Sequence, residues 1–299
     1  MKSLENYLSG FGSPYTVFDR PEATLLYKPR DPLANKGNFG HVLLLAGSYG
    51  KIGAAVLAAK ACLCAGAGLL SVRLPACGYE IIQTTLPEAM VDVDDEEFHL
   101  SSFPNRLETY QCAGMGPGIG THEDTYLMLK DFLKSFSSPL VLDADALNIV
   151  SQHPKMLTAL RANTILTPHP KEFDRLFGES KDDKSRLDKA GKMALKYKII
   201  IVLKGHYTGV FTPEEEITFN TNGNAGMAKG GSGDVLTGII TALLAQSYPP
   251  KNAARLGVFL HGAAGDLAAA IHSEESMLPS DLIQQLGSVF LELRSSVHK

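Results

Sequence analysis

Short runs of consecutive apolar residues, each closed by glycine or a polar cluster, alternate along this chain with segments whose apolar residues return at helical spacing. Val42-Leu43-Leu44-Leu45-Ala46, closed by Gly47, is the first such run and has the pattern of a strand buried on both faces. Gly53 to Ala67 then reads as helix. Leu69 to Leu74, Gln111 to Met115, Leu140 to Leu142, Thr164 to Leu166 and Ile199 to Leu203 read as further strands. Thr125 to Phe136, Ala144 to Val150, Lys171 to Phe177 and Lys181 to Tyr197 read as the helices between them. Val210 to Thr212 and Glu216 to Phe219 predict a hairpin around Pro213-Glu214, and the last third is helical over Ser232 to Gln246, Lys251 to Ala270 and Leu278 to Val297. Strands alternating with helices predict a mainly parallel sheet covered on both faces.

No repeat or low-complexity linker divides the chain, so one domain over residues 36–299 is expected, preceded by a lead-in or linker over residues 1–35. Pro14, Pro21, Pro29 and Pro32 make that lead-in turn-rich, an extended segment rather than a packed element. The 299 residues are 44% hydrophobic and carry a net charge of −4, which argues against nucleic acid as partner. Cys62, Cys64, Cys77 and Cys112 fit no zinc or redox spacing and read as reduced thiols. No apolar run reaches the roughly 20 residues that span a bilayer, and Met1 to Gly10 lacks the pattern of a signal peptide. A soluble, cytoplasmic protein is expected.

Ligands of an open parallel sheet bind beyond the carboxyl ends of its strands. Every notable glycine-rich or polar cluster here falls at such an end: Gly47 to Gly50, Gly114 to Gly118, Asp143-Ala144-Asp145, Thr167 to Pro170 and Lys204 to Thr208. The sixth cluster, Asn222-Gly223-Asn224-Ala225-Gly226 and Gly230-Gly231-Ser232-Gly233-Asp234, opens directly into an apolar helix. Glycines let backbone amides approach a ligand, and a helix N-terminus favours an anion such as phosphate, so Gly230 to Gly233 are read as an anion hole. Asp234 there could simply complement the helix dipole, but a simple cap does not need the glycine run. A carboxylate beside a phosphate can instead take a proton from an attacking hydroxyl.

The other clusters are less specific. Gly47 to Gly53 fails as a P-loop, since Ile52 stands where Ser or Thr is required, and no acidic residue follows the next strand to hold a ribose. Asp143 and Asp145 could meet Mg²⁺ directly or through water, or could cap a helix. His169, stiffened between two prolines, is either structural or a ligand contact, and Lys204 at a strand end could reach a phosphate or be an ordinary exposed lysine. The small residues of His261 to Asp266 predict close helix packing without chemistry.

The ordered set of these clusters, above all Thr167-Pro168-His169-Pro170-Lys171-Glu172 and Asn222 to Asp234, resembles the ADP/ATP-dependent NAD(P)H-hydrate dehydratases over nearly all of Lys36 to Ala270. The resemblance implies a ribokinase-like three-layer α/β sandwich that repairs the S form of hydrated NADH or NADPH, with ADP or ATP as co-substrate and Mg²⁺ as cofactor. By the same resemblance Ala54, Gly116, His169 and Asp234 would contact the hydrated cofactor. Lys204, Gly205, His206, Tyr207, Thr208 and Gly233 would hold the adenine nucleotide. A homotetramer is implied, as is a fused or separate epimerase, this chain then standing for the C-terminal part of a longer one. Asp234 would be the catalytic base, with phosphate transfer turning the hydroxyl into a leaving group.

Two departures stand out. Ala225 replaces a common Pro, and Lys229 replaces a common Thr and would place a positive charge beside the phosphate site. Rivals are a thiazole or hydroxymethylpyrimidine kinase of the same superfamily and a nucleotide-sensing protein without turnover. An intact Asp234 argues against the second, and the residues around His169 against the first. Val91 to Leu107 and Ser273 to Ser280 match no expectation.

Overall fold

The computed structural model describes residues 4–297. Met1 to Ser3 and His298-Lys299, the outer ends of the two expected segments, lie outside the described residues. In chain order the elements are α1 (Leu4–Tyr7), β1 (Thr16–Phe18), α2 (Arg20–Leu26), β2 (His41–Leu45), α3 (Ile52–Cys64), β3 (Leu69–Leu74), α4 (Tyr79–Thr85) and β4 (Met90–Val93). There follow β5 (Cys112–Met115), α5 (Glu123–Ser135), β6 (Leu140–Leu142), α6 (Ala144–Gln152), β7 (Ile165–Leu166), α7 (Pro170–Phe177), α8 (Asp183–Tyr197) and β8 (Ile200–Leu203). The chain closes with β9 (Gly209–Phe211), β10 (Ile217–Asn220), α9 (Ser232–Ala245), α10 (Pro250–Ser276) and α11 (Pro279–Val297).

The strands form one sheet of order β1-β10-β9-β8-β7-β6-β5-β2-β3-β4. All neighbours pair in parallel except those of β9, which runs against both β8 and β10 and so makes the expected hairpin. Alternate residues of each strand feed two cores. Val42 and Leu44 pack with α3, α9, α10 and α11 on one face; Leu43 and Leu45 pack with α5, α6, α7 and α8 on the other. Both faces of the sheet are therefore apolar and buried, which is why its strands read as unbroken hydrophobic runs. The architecture is the expected three-layer α/β sandwich.

The lead-in departs from its reading. Thr16–Phe18 adds to the sheet edge in parallel with Thr218 to Asn220, and α2 packs against α10 and α11 with Ala23 fully buried. Prolines obscured this because Pro21 occupies the first turn of α2, where a missing N–H costs nothing, behind an Asp19 side chain that accepts from Glu22 N. Part of Val91 to Leu107 is likewise structured. β4 forms the opposite sheet edge, and Asp94 beyond it accepts hydrogen bonds from Glu96 N, Ser101 N and Ser102 N at 3.0–3.1 Å. Ser273 to Ser280 contains a bend at Ser273 (φ +64°) and the turn into α11.

The sheet order also places the reaction end. The chain runs outward from β2 through β3 to β4, then returns to place β5 on the other side of β2. Loops after β2 and β5 therefore diverge at a switch point, where open α/β sheets form a crevice. They are tied across it: Gly47 N donates to Pro117 O at 2.8 Å and the Ser48 hydroxyl to Gly118 O at 2.7 Å.

Phe18 is buried and meets Phe259 of α10 edge-on at 6.3 Å. Phe18→Ala is expected to lower unfolding free energy by about 3 kcal/mol in urea titrations. A change under about 1 kcal/mol would mean that the lead-in is not part of the core.

Candidate active site

Six loops meet at the carboxyl edge of the sheet, and a chain of charged side chains joins four of their elements. Asp143, at the end of β6, is buried, with its carboxylate held from two sides. Lys204, just after β8, donates to Oδ1 at 2.8 Å, and the Thr237 hydroxyl on α9 donates to Oδ2 at 2.7 Å. The Lys204 ammonium also lies 3.9 Å from Glu172 of α7. Burial works against that ammonium, but Asp143, Glu172 and Asp234 outweigh it and hold its pKa above the ordinary lysine value.

Asp234 sits in the first turn of α9, partly buried on the same cluster. Burial pushes its carboxyl up to about 7, helped by Asp143 and opposed by Lys204. A carboxylate near 7 is half-ionised at neutral pH and can accept a proton there, the property required of a general base. Gly231 ahead of it is left-handed (φ +99°), and a Cβ there would fall 2.5 Å from Leu57 Cδ1. A Cβ on Gly233 would lie 3.2 Å from Lys204 Nζ, so the glycine lets the ammonium reach the backbone at the start of α9. Of the expected anion hole, Gly230, Gly231, Ser232 and Gly233, the Ser232 N–H is donated to Lys229 O at 3.2 Å.

His169 is the N-cap of α7. Its Nδ1 accepts from Lys171 N at 3.1 Å and Glu172 N at 3.3 Å, while Glu172 accepts from His169 N at 2.9 Å. Burial chiefly, with Lys204 and Arg175 adding to it, lowers its pKa against the pull of Glu172, which suits a neutral accepting ring. Its ring is nearly half exposed, so it caps the helix and still keeps contact with solvent. Glu172 thus connects a residue expected at the hydrated cofactor with one expected at the nucleotide.

The remaining expected residues divide between two sides. Gly116 (φ +134°) lies against Asp143, where a Cβ would sit 1.8 Å from the carbonyl oxygen. Ala54, in the first turn of α3, faces Gly118 across the switch point. Gly205, His206, Tyr207 and Thr208 form the β8–β9 turn, closed by the Thr208 hydroxyl on Gly205 O at 3.1 Å. The two aspartates expected at a metal play different parts. Both Asp143 oxygens are taken by Lys204 and Thr237; Asp145 keeps some solvent contact, its Oδ2 accepting from Gly120 N at 2.9 Å and Lys51 at 3.2 Å and its Oδ1 from Asn148 Nδ2 at 3.2 Å.

Two expectations fail. The Lys229 ammonium is turned away from the phosphate site, donating to Glu275 O and Met277 O at the end of α10, the latter at 2.7 Å. A helix C-terminus holds a cation there. Within His261 to Asp266 the two glycines serve a loop rather than a neighbouring helix: a Cβ on Gly262 would meet Asn222 and one on Gly265 would meet Met227, so both admit the loop from Asn222 to Met227. Asp266 fixes that loop through Gly223 N at 2.9 Å and Asn224 Nδ2 at 3.0 Å.

His261, assigned no chemistry from the sequence, donates from Nε2 to Ser232 O at 2.9 Å, and burial lowers its pKa to about 4. Glu172, Thr237, Asp266 and His261 were all missed as site residues. Glu172 closes the motif from Thr167, and His261 and Asp266 bound a small-residue cluster, but only Thr237 is a polar residue interrupting an apolar helix face.

A parallel sheet with this switch point and a glycine-led helix at its carboxyl edge defines a ribokinase-like α/β protein. The model of a family described as NAD(P)H-hydrate dehydratase matches residues 42–287. The chain belongs to that family. It is 38% identical over 278 residues to the bifunctional NAD(P)H-hydrate repair enzyme Nnr of Moorella thermoacetica, covering 90% of this chain and 52% of the relative. The chain thus spans about half the length of such two-function relatives. The ADP-dependent (S)-NAD(P)H-hydrate dehydratase of Bacillus subtilis is 34% identical, with 93% and 98% of the two chains covered. A crystal structure of the ADP/ATP-dependent NAD(P)H-hydrate dehydratase from Bacillus subtilis, co-crystallised with ATP/Mg²⁺, superposes with TM-score 0.81 at 31% identity. It covers 93% of this chain and 99% of its own. A hydroxyethylthiazole kinase from Pyrococcus horikoshii shares the fold alone, at 13% identity and TM-score 0.58.

The raised Asp234 pKa has a signed consequence. A carboxyl whose folded pKa is about 7 against an ordinary value of 3.8 binds its proton more tightly when folded, so it weakens the fold as pH rises between those values. Asp234→Asn is therefore expected to raise the melting temperature more at pH 8 than at pH 4. An equal or reversed shift would show that the carboxyl is not held up. Lys204→Met leaves Asp143 and Glu172 without their cation and is expected to cost about 3 kcal/mol or more in chemical unfolding.

Proposed function

We propose that this protein dehydrates the S form of hydrated NADH or NADPH at the expense of ADP or ATP. The carrying observation is Asp234, its carboxyl raised to about 7 at the mouth of a glycine-led helix, 3 residues before the Thr237 that holds Asp143. Family membership and the full-length likeness to the Bacillus subtilis dehydratase support the substrate and nucleotide.

In this reading Asp234 takes the proton of the C6 hydroxyl, and the freed oxygen attacks the terminal phosphorus of the nucleotide, which leaves as the shortened nucleotide. The ring nitrogen lone pair then expels phosphate from C6, and loss of a C5 proton restores the dihydronicotinamide double bond. Lys204 and the amides of Gly230, Gly231 and Gly233 face the transferring phosphoryl group, while Lys204 to Thr208 hold the nucleotide. Ala54, Gly116 and His169 hold the hydrated ring. The donors suit Mg²⁺ held through water: Asp145 offers a solvent-accessible carboxylate of hard oxygens, and Asp143 stands behind it. A bound Mg²⁺ supplies charge neutralisation on the phosphates. The two-function relatives make a partner epimerase, fused or separate, the natural source of the S form.

The test follows NADH absorbance while the protein is incubated with hydrated NADH, Mg²⁺ and ADP or ATP. Recovery is expected, rising with pH through about 7 as Asp234 ionises. Asp234→Asn should lose about 10²–10⁴-fold in rate while still binding nucleotide. No recovery with either nucleotide would overturn the proposal. Because Lys229 is committed to α10, Lys229→Thr should leave the ratio of ADP to ATP turnover unchanged; a shifted ratio would return its charge to the phosphate site.

A further inference from the structure

Away from Asp234, three side chains converge beside the loop that leaves β5. His99 belongs to the connection between β4 and β5; His122 and Asp124 stand at the start of α5. His99 Nε2 lies 3.0 Å from Asp124 Oδ2, and His122 Nδ1 lies 3.4 Å from the same oxygen. The imidazoles lie 3.9 Å apart between centroids, tilted at 35°, and one ligand atom from each of the three residues falls within 4.8 Å of the others. Among the described residues this is the one group of three or more such side chains so arranged.

We propose that His99, His122 and Asp124 form a binding site for a divalent transition metal of the zinc class. Zinc binds imidazole nitrogen and carboxylate oxygen at about 2.0–2.2 Å, so neighbouring ligand atoms of a tetrahedral site stand about 3.3 Å apart. The two measured edges lie on either side of that value. An ion placed among the three atoms replaces the His99–Asp124 hydrogen bond, and the one that His122 Nδ1 accepts from Asp124 N at 3.3 Å, with three ligand bonds and leaves a fourth position for water. Two nitrogen donors exclude Mg²⁺, which takes oxygen, so this site is chemically distinct from one at Asp145.

The donors are also held in place. Asp94 accepts from Ser101 N and Ser102 N, the Thr125 hydroxyl donates to Leu100 O at 2.7 Å, and Leu100 is fully buried. His99 is thereby fixed against α5 from the adjacent residue, and its ring is largely covered, as ligand positioning requires. Phe98, next to His99, accepts from Tyr49 N at 2.9 Å and meets the Tyr49 ring edge-on at 5.1 Å. Tyr49 lies in the Gly47 to Gly50 turn at the switch point. An ion at this site would join the β4–β5 connection to α5 and stiffen that wall of the cleft.

The experiment uses the tag-free full chain in excess Mg²⁺, with Zn²⁺ measured by equilibrium dialysis and Co²⁺ by its tetrahedral absorption bands. Wild type is expected to bind one equivalent and to gain thermal stability. His99→Ala and His122→Ala should each weaken binding at least tenfold, and Asp234→Asn should not. His122 is more than half exposed, so its variant remains informative if His99→Ala fails to fold. No binding by wild type, undiminished binding by a folded histidine variant, or loss of binding in Asp234→Asn would overturn the site.

Discussion

The buried Asp143–Lys204 pair is the contact on which the candidate site depends. It joins the ends of β6 and β8, while Thr237 ties the same carboxylate to α9. Two charges taken out of water need close geometry and further hydrogen bonds to be tolerated, and here each partner has them. The Lys204 ammonium is in turn shared with Glu172, whose other task is to close the cap of α7 with His169. One cation therefore sets the spacing of strands, helix N-termini and the residues expected at both ligands.

Asp234 has its character from the same arrangement. Without neighbours, a carboxylate in the first turn of a helix would be stabilised in its charged form by the helix dipole. Burial and the adjacent Asp143 reverse that preference and bring the group to the pH at which proton transfer is useful. Lys204 limits the shift. The cluster is thus both a structural tie and the source of the raised pKa of the proposed base, and the left-handed Gly231 lets α9 begin close enough to join it. Ala144, directly after Asp143, is also left-handed at φ +46°, placing a second unusual backbone conformation at the site.

Much of the fold was legible in local sequence. Buried strands announce themselves as apolar runs, and the glycine and polar clusters that close them mark the reactive edge. The strands that went unread are those at the sheet edges. Thr16–Phe18 has two exposed residues out of three, and β4 has none fully buried, so neither shows a hydrophobic run. Their existence depends on a neighbouring strand far along the chain. Of the four lead-in prolines only Pro32 lies in a turn, and Pro21 hid α2, whose first turn tolerates one.

Residue types and their order alone determined the α/β class and pointed to the carboxyl edge as the candidate site and to Asp234 as its proposed acid–base group. They also carried the resemblance to the dehydratase family, since short motifs retain backbone requirements such as the glycines before α9. Only the tertiary structure decided which charges meet. Asp143 and Lys204 are 61 residues apart, and Asp143 and Thr237 are 94 apart; no local pattern relates them. The same holds for Lys229, whose charge points to a helix end 46 residues away rather than to the phosphate site. Electrostatic roles follow distance and burial in space, and these exist only once the sheet has brought the strand ends together.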